Sequence, residues 1–580
     1  MSVRGVRSGL VATAAVTTAM AAFVFATLPP PALRLDGSLP VHQAAGAYHV
    51  HSTRSDGTGT PEEIAEAASR AGLQFVILTD HGDGTRTPDE PAYHQGVLII
   101  DALEVNTREG HVVALGLEQA SPYPLAGLAD DVIADIRRQG GMAIIAHPDS
   151  PRSELSWRGA PGLAGDGVEW LNADSEWRDE STWKLVQAVA HAVVRPSEAI
   201  GSLFTRPVRT LQRWDGASRV RPAVGLAAVD AHANIPWREQ EEPRRSTGLS
   251  WPSYESLFRT LVQTVVLDQP LSGEAVADAR AVIAAIAGGR TYSTLRSQAW
   301  PSVLEFTAER GGEVFAMGER LPASAEAVTF SVRLPNAPGA HITLVRNGLP
   351  HRSGQGTLTV PAVTTPGVYR VEVSLPAQST PWLVSNPIVL EGPDTDDAAG
   401  AGRGGRGRGA GEGGPNTGTI EPVGVALDDP AWTIERDALS EGEFELDGAR
   451  MRFAYALGGG APRGQYAALV YTPGRDEGLE TVSFVAAAAE PMRLSIQVRL
   501  PEGRGRSAQR WRRSVFIDRT PARYTLRLQD FEPADRPTQR RPIVTPIQSL
   551  LFVADTVNSH PGSSGIVWLS ELSLGVNRLE

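Results

Sequence analysis

Hydrophobic positions change rhythm along the chain at about Pro301. Before it, short unbroken apolar runs alternate with helical patterns. Phe75-Val76-Ile77-Leu78, Val97-Leu98-Ile99-Ile100, Ala143-Ile144-Ile145 and the run 223–229 lack polar alternation. They read as parallel strands buried on both faces. Thr60-Pro61-Glu62-Glu63 starts a helix, with Thr60 as cap, Pro61 at the first helical position and Glu63 closing a capping box. Ile64, Ala68 and Ala71 then share one face, and Gly72 stops the helix. Further helical patterns cover residues 125–138, 183–194, 197–214, 254–266 and 274–287. Repeated strand–helix units predict a parallel sheet or a barrel.

After Pro301 the period becomes two. Val328, Phe330, Val332 and Leu334 alternate with polar residues, as do Tyr369, Val371, Val373 and Leu375, and Asn347-Gly348 is a hairpin turn signal. Residues 299–391 therefore read as a small antiparallel sandwich. Residues 392–418 are rich in glycine and arginine, cannot bury a core, and read as a flexible linker. Period two returns in 419–580, at Leu494, Ile496, Val498 and Leu500 and again at Tyr524, Leu526 and Leu528, predicting a second, jelly-roll-like sandwich. At the other end, Arg4 and Arg7 precede an apolar run over 10–28 that Pro29, Pro30 and Pro31 terminate. Residues 1–45 thus hold a signal peptide or an N-terminal membrane anchor, and the body is expected to be exported, periplasmic or extracellular.

Composition narrows the chemistry. A chain of 580 residues with 41% hydrophobic and 21% charged positions is a multidomain globular protein. The net charge of -12 argues against a nucleic-acid-binding role. There is no cysteine, which excludes disulfides, thiolate metal sites and thiol nucleophiles. Lys184 is the sole lysine.

Nine of the 12 histidines fall between His42 and His232. His49 and His51, in YHVHS, end a strand, and period two points both side chains the same way. Asp56 follows in the next loop. His81 lies past Leu78, Glu104 past Ile100, His147 past Ile145, and Asp230 and His232 past Val229, while His111 opens the strand HVVALG. In a barrel, the carboxyl ends of parallel strands share one face. Six imidazoles and three carboxylates meeting there would be costly unless they bound cations. Donors without thiolate suit Zn, Mn or Fe, and a carboxylate such as Glu104 can bridge two ions.

Taken in order, YHVHS, ILTDHGD, DALEVNT with the trailing His111, IIAHPD and AVDAHA resemble the motifs of the polymerase-and-histidinol-phosphatase (PHP) metallophosphoesterases. The resemblance implies a distorted (β/α)7 barrel over 46–298, followed by the two all-β sandwiches, with two or three divalent ions. It implies that His49, His51, Glu104 and Asp230 hold one metal, that Glu104, His111 and His147 hold a second with Glu104 bridging, and that Asp56, His81 and His232 hold a third. It also implies phosphoester hydrolysis by a metal-activated hydroxide, on a small-molecule or exposed phosphoester.

The close spacing of Glu104 and His111 is similar to a secreted, carbaryl-hydrolase-like branch, so carbamate or carboxylic ester hydrolysis is the alternative. A non-catalytic surface glycan-binding protein is the rival from another class. Arg54, beside the first motif, is the candidate for gripping phosphate, with Arg86 second. The insert 154–220, with Trp157, Trp170, Trp177 and Trp183, is expected to lid or wall the cleft. Residues 299–391 resemble immunoglobulin-like domains, and the last domain resembles galactose-binding-like jelly rolls and carbohydrate-binding modules. There Trp432 and Trp511 are candidates for stacking on sugar, and Trp568 is expected in the core. Membrane contact is expected only through the N-terminal segment, and no nucleic-acid partner is expected.

Overall fold

The computed structural model describes residues 18, 21–159, 164–233, 251–376, 378, 380–392, 420–460, 464–473, 479–500, 509–534 and 547–577. Most of the N-terminal run and nearly all of the 392–418 linker lie outside the described residues. Two compact units are present, Met1–Gln119 with Leu128–Gly404, and Gly405–Glu580 with Ala120–Gly127.

In the first unit the helix Pro61–Ala71 begins as its sequence dictates. Thr60 accepts from the Glu63 amide, the Glu63 carboxylate accepts from the Thr60 amide, and Gly72 ends the helix in the left-handed region at φ 71°. Its buried face, with Ile64, Ala68 and Ala71, covers the strand Phe75–Leu78. That strand runs parallel between Gln43–Val50 and Val97–Asp101, and all its side chains are buried. A second sheet orders Val224–Ala228, Gly167–Asn172, Met142–Ile145, Gly110–Leu115 and Leu103–Thr107. Two parallel bridges, Val50 to Ala231 and His81 to Glu104, join the ends of the adjacent strands Gln43–Val50 and Phe75–Leu78 to the two edges of the second sheet, in the manner of a distorted barrel. The fold is α/β as expected, but not all parallel. Leu103–Thr107, Gly110–Leu115 and Met142–Ile145 pair antiparallel, because the turn after Thr107 is too short for a crossover helix.

Three elements differ from the pattern reading. Residues 254–266 are a short helix, Tyr254–Phe258, and then a strand, Leu261–Val266, which pairs with Gln43–Val50. Burial on both faces removed the alternation that would have marked it as a strand. Residues 197–214 are two helices, Pro196–Gly201 and Val208–Val220, separated at Pro207, which cannot continue a helix from Gly201. The insert 154–220 is not wholly a lid, because it contains the barrel strand Gly167–Asn172, buried throughout.

The sandwich after Trp300 is continuous with the barrel. Leu383–Ser385 pairs with Thr291–Leu295, so one sheet runs from the barrel into the sandwich. The hairpin at Asn347-Gly348 forms, with both residues at positive φ. Arg370 crosses from this sandwich to the helix Val208–Val220, forming two hydrogen bonds with Asp215 at 2.8 and 2.9 Å and one with Glu372 at 2.6 Å. Arg206 closes the group on Glu372 at 2.7 and 3.0 Å.

The second unit is two antiparallel sheets around one apolar core. Trp432 and Trp511, expected as stacking platforms, lie in that core. Trp568, expected in the core, is half-buried on the outer side with Arg450 over its ring. Strand parity decides this: Val567 and Leu569 point inward, so Trp568 between them points out.

Candidate metal centre

All nine residues expected as metal ligands stand together at one end of the barrel. His49 and His51 leave the Gln43–Val50 strand through a bulge, not a regular pleat. The register slips between Tyr48 and Val50, and His49 sits at φ 66°. His147 and Asp230, also past strand ends, have positive φ. Non-glycine residues in this region are strained, and such strain concentrates at functional sites. The loop carrying Asp56 is pressed onto His51; a Cβ on Gly57 would sit 2.1 Å from the His51 carbonyl oxygen.

Donor spacing is the informative quantity. His49 Nε2 and His51 Nε2 are 3.1 Å apart. Glu104 Oε2 lies 3.4 and 3.3 Å from them, and Asp230 Oδ1 lies 3.5 and 3.4 Å from them. Two donors about 2.1 Å from one ion, the usual zinc–nitrogen or zinc–oxygen distance, lie about 3.4 Å apart at the tetrahedral angle, which suits these pairs. His49, His51 and Asp230 form one convergent group, and Glu104 joins His49 and His147 in another. The other oxygen of Glu104 faces His111 Nδ1 at 2.7 Å and His147 Nε2 at 2.9 Å. Glu104 thus presents one oxygen to each of two donor groups. Asp56 Oδ2 lies 3.3 Å from His232 Nε2 and 3.8 Å from His81 Nε2. His81 stands between groups, its Nδ1 being 3.2 Å from Glu104 Oε2. The buried Nδ1 of His147 has no hydrogen-bond partner. These nitrogen and oxygen donors, convergent and without a lysine or arginine among them, fit divalent cations.

The electrostatics follow. Burial would lower the His147 pKa, but its hydrogen bond to Glu104 and the surrounding carboxylates outweigh burial and hold it at about 9. His232 is likewise penalised by burial yet raised to about 10 by Asp56 and Asp230. Glu104 and Asp230 would be raised by burial, but the neighbouring imidazoles hold both below the usual carboxylate range.

Sequence reasoning missed the layer beneath. Glu169, on the strand hidden in the insert, has one oxygen 2.5 Å from His49 Nδ1. Its other oxygen accepts from the His147 amide at 2.9 Å and from Asn172 Nδ2 at 2.8 Å. Asn172 Nδ2 also donates to Asp230 at 3.0 Å. Asp80 holds the loop after His51, accepting from the Ser52 amide and hydroxyl at 2.8 and 2.7 Å and from the Ser55 hydroxyl at 2.6 Å. A lone glutamate inside the apolar run GVEWLN was the available signal for Glu169.

Arg54, expected on phosphate, is held by Asp101 at 3.3 Å and by Asp89. Arg86 binds the same two carboxylates. Both arginines line a cavity of about 170 Å3 that also includes His81. Trp157 and Trp170 are buried, Trp177 bonds Asp174, and Trp183 is exposed.

No family model matches the chain. Over 120 residues it is 32% identical to the uncharacterised protein MJ1587 of Methanocaldococcus jannaschii, spanning 20% of this chain and 69% of that protein. Over 82 residues it is 33% identical to a phosphoribosyl 1,2-cyclic phosphate 1,2-diphosphodiesterase of Eggerthella lenta, and over 86 residues 34% identical to a 3',5'-nucleoside bisphosphate phosphatase of Chromobacterium violaceum. These named relatives support a PHP-like phosphoesterase domain in the chain. The matches to the two named enzymes cover 13% and 14% of this chain and only 31% and 30% of theirs. Both of these named relatives are enzymes, a diphosphodiesterase and a phosphatase. Among solved structures it is similar to a two-domain protein from Bacteroides vulgatus containing a predicted PHP-like metal-dependent phosphoesterase (15% identity, 62% of this chain, 98% of that chain, TM-score 0.26). A family 11 carbohydrate-binding module from Clostridium thermocellum is also similar (13% identity, 28% of this chain, 98% of that chain, TM-score 0.23).

Proposed function

We propose that the PHP domain hydrolyses a small or exposed phosphoester, with His49, His51, Asp230 and Glu104 holding one divalent ion and Glu104, His111 and His147 a second. Asp56, His81 and His232 hold a third. The carrying observation is the spacing of His49 and His51, 3.1 Å from each other and 3.3 to 3.5 Å from an oxygen of Glu104 and of Asp230. Bound divalent ions supply Lewis acidity and lower the pKa of water to near neutrality. The chain's residues do the positioning. Glu104 fixes the separation of the two groups by its own two oxygens. Glu169 keeps the His49 ring turned inward by taking its Nδ1, and Asn172 does the same for Asp230. Arg54 and Arg86, balanced by Asp101 and Asp89, shape the cavity beside His81 rather than offering free positive charge.

The test is a panel of phosphomonoesters, phosphodiesters and aryl carbamates, assayed after chelation and again after Zn, Mn or Fe is restored. Metal-restored phosphoester turnover is the expected result. Turnover of carbamates alone would replace this reading with the carbamate alternative, and none on any ester would favour a binding protein.

For the C-terminal unit we propose carbohydrate binding, supported by the sequence resemblance. Trp568, on the outer face beside Arg450, is the stacking candidate in place of Trp432 and Trp511. Loss of glycan-array binding on Trp568→Ala is expected; unchanged binding would reject that side chain. Export is proposed on the N-terminal charge and apolar pattern, and cell fractionation tests it.

A further inference from the structure

The helix Thr182–Ala192 buries Ala188 and His191 and turns large apolar side chains outward. Trp183, Val186 and Val189 are 64%, 56% and 42% exposed, and Val193 just beyond the helix is 87% exposed. Their spacing places them along one face. Scattered exposed apolar residues need no explanation, but a contiguous stripe of this kind marks a contact surface.

What lies beside the stripe indicates its partner. Residues 21–27 are helical and form the end of the apolar run 10–28. Phe23 and Phe25 there are also exposed, and the Phe23 ring centroid is 6.2 Å from that of Trp183. The segment is fastened to the domain: Thr27 Oγ1 lies 3.0 Å from His191 Nε2, Arg195 donates to the Pro29 carbonyl, and the Ala32 amide donates to Glu198. The exposed aromatic end of an apolar run of near bilayer-spanning length, preceded by Arg4 and Arg7, therefore meets the domain along its exposed apolar stripe. Among the described residues no helix is long and apolar enough to cross a membrane, so the Thr182–Ala192 helix would lie on a membrane rather than span it.

We propose that Trp183, Val186, Val189 and Val193, with Phe23 and Phe25, form a lipid-docking face that seats the PHP domain on the bilayer its N-terminal run enters. This face sits in the interfacial layer, with the apolar side chains below the headgroups and Lys184 and Glu180 at their level.

The absence of cysteine makes the test clean. The full chain carries a single environment-sensitive fluorophore at Val189→Cys, at Val193→Cys or, as control, at Arg280→Cys on the Ala275–Ala287 helix. Each is mixed with phosphatidylcholine–phosphatidylglycerol vesicles. A blue shift and a rise of about twofold or more at 189 and 193, with none at 280, is expected for side chains entering the interface. In Val186→Asp/Val189→Asp the label at 193 should lose most of its blue shift while the chain still floats with the vesicles. The proposal is overturned if the 189 and 193 labels stay unchanged on vesicle-bound protein. It is equally overturned if they are already in an apolar setting before lipid is added, which would mean that the N-terminal run or a second copy covers the face, or if the full chain does not float with vesicles.

Discussion

Two groups of buried charge lie in the first unit, and they are built on opposite plans. At the junction of barrel and sandwich, Arg370 and Arg206 face Asp215 and Glu372, two guanidiniums against two carboxylates, with the Arg370–Asp215 pair bidentate. That cluster is complete by itself. At the barrel mouth, imidazoles and carboxylates meet without any guanidinium, and carboxylate oxygens face imidazole nitrogens at 2.5 to 3.8 Å. Without cations this cluster is neutralised only while several histidines carry a proton. Charge balance from within makes a structural joint, whereas balance that must come from outside makes a binding site.

The largest effect should follow from removing the residue the mouth depends on most. Glu104→Ala takes away the carboxylate shared by both donor groups and should lower phosphoester turnover by about 10³-fold, the scale of losing a principal electrostatic contact. The melting transition should move little by comparison. Arg370→Ala should do the reverse. Leaving Asp215 buried and unpaired should cost about 3–5 kcal/mol of stability in denaturant titration, with metal content unchanged. If Arg370→Ala instead emptied the metal centre, the two clusters would not be separable. A smaller effect is expected for Glu169→Gln. Weakening the partner of His49 should reduce metal affinity by about 10–100-fold, read by competition with a chelating dye.

The pH response should sharpen the contrast further. In the metal-free protein His147 and His232 titrate above their unfolded value, at about 9 and about 10. Their contribution to stability is therefore fully present below the unfolded pKa of about 6.5 and is lost as pH rises through 9 to 10. Metal must displace those protons, so its affinity should rise across the same window and its binding should release protons at neutral pH, measurable by calorimetry in buffers of different ionisation enthalpy. Metal affinity that is flat from pH 6.5 to 9 would contradict this assignment.

Much of the mouth was legible because its residues follow unbroken apolar runs. His81, Glu104, His147 and Asp230 each come just past such a run, and that position alone predicts a shared face. Glu169 was not legible, since its strand is short, buried on both sides and embedded in what reads as a lid. Leu261–Val266 was misread for a related reason: an apolar run following a real helix turn carries no signal that the helix has ended. Trp568 could have been placed correctly, because Val567 and Leu569 on either side fix its parity. The fusion of barrel and sandwich through Thr291–Leu295 and Leu383–Ser385 depends on long-range pairing that no local pattern carries.

Elemental analysis of the purified chain, beside His49→Ala and Asp230→Ala, addresses the central claim most directly. At least two equivalents of transition metal per chain are predicted in the parent, with a clear loss in both variants while their folding is retained. A parent protein free of bound metal after supplementation, or variants that keep its full complement, would contradict the account.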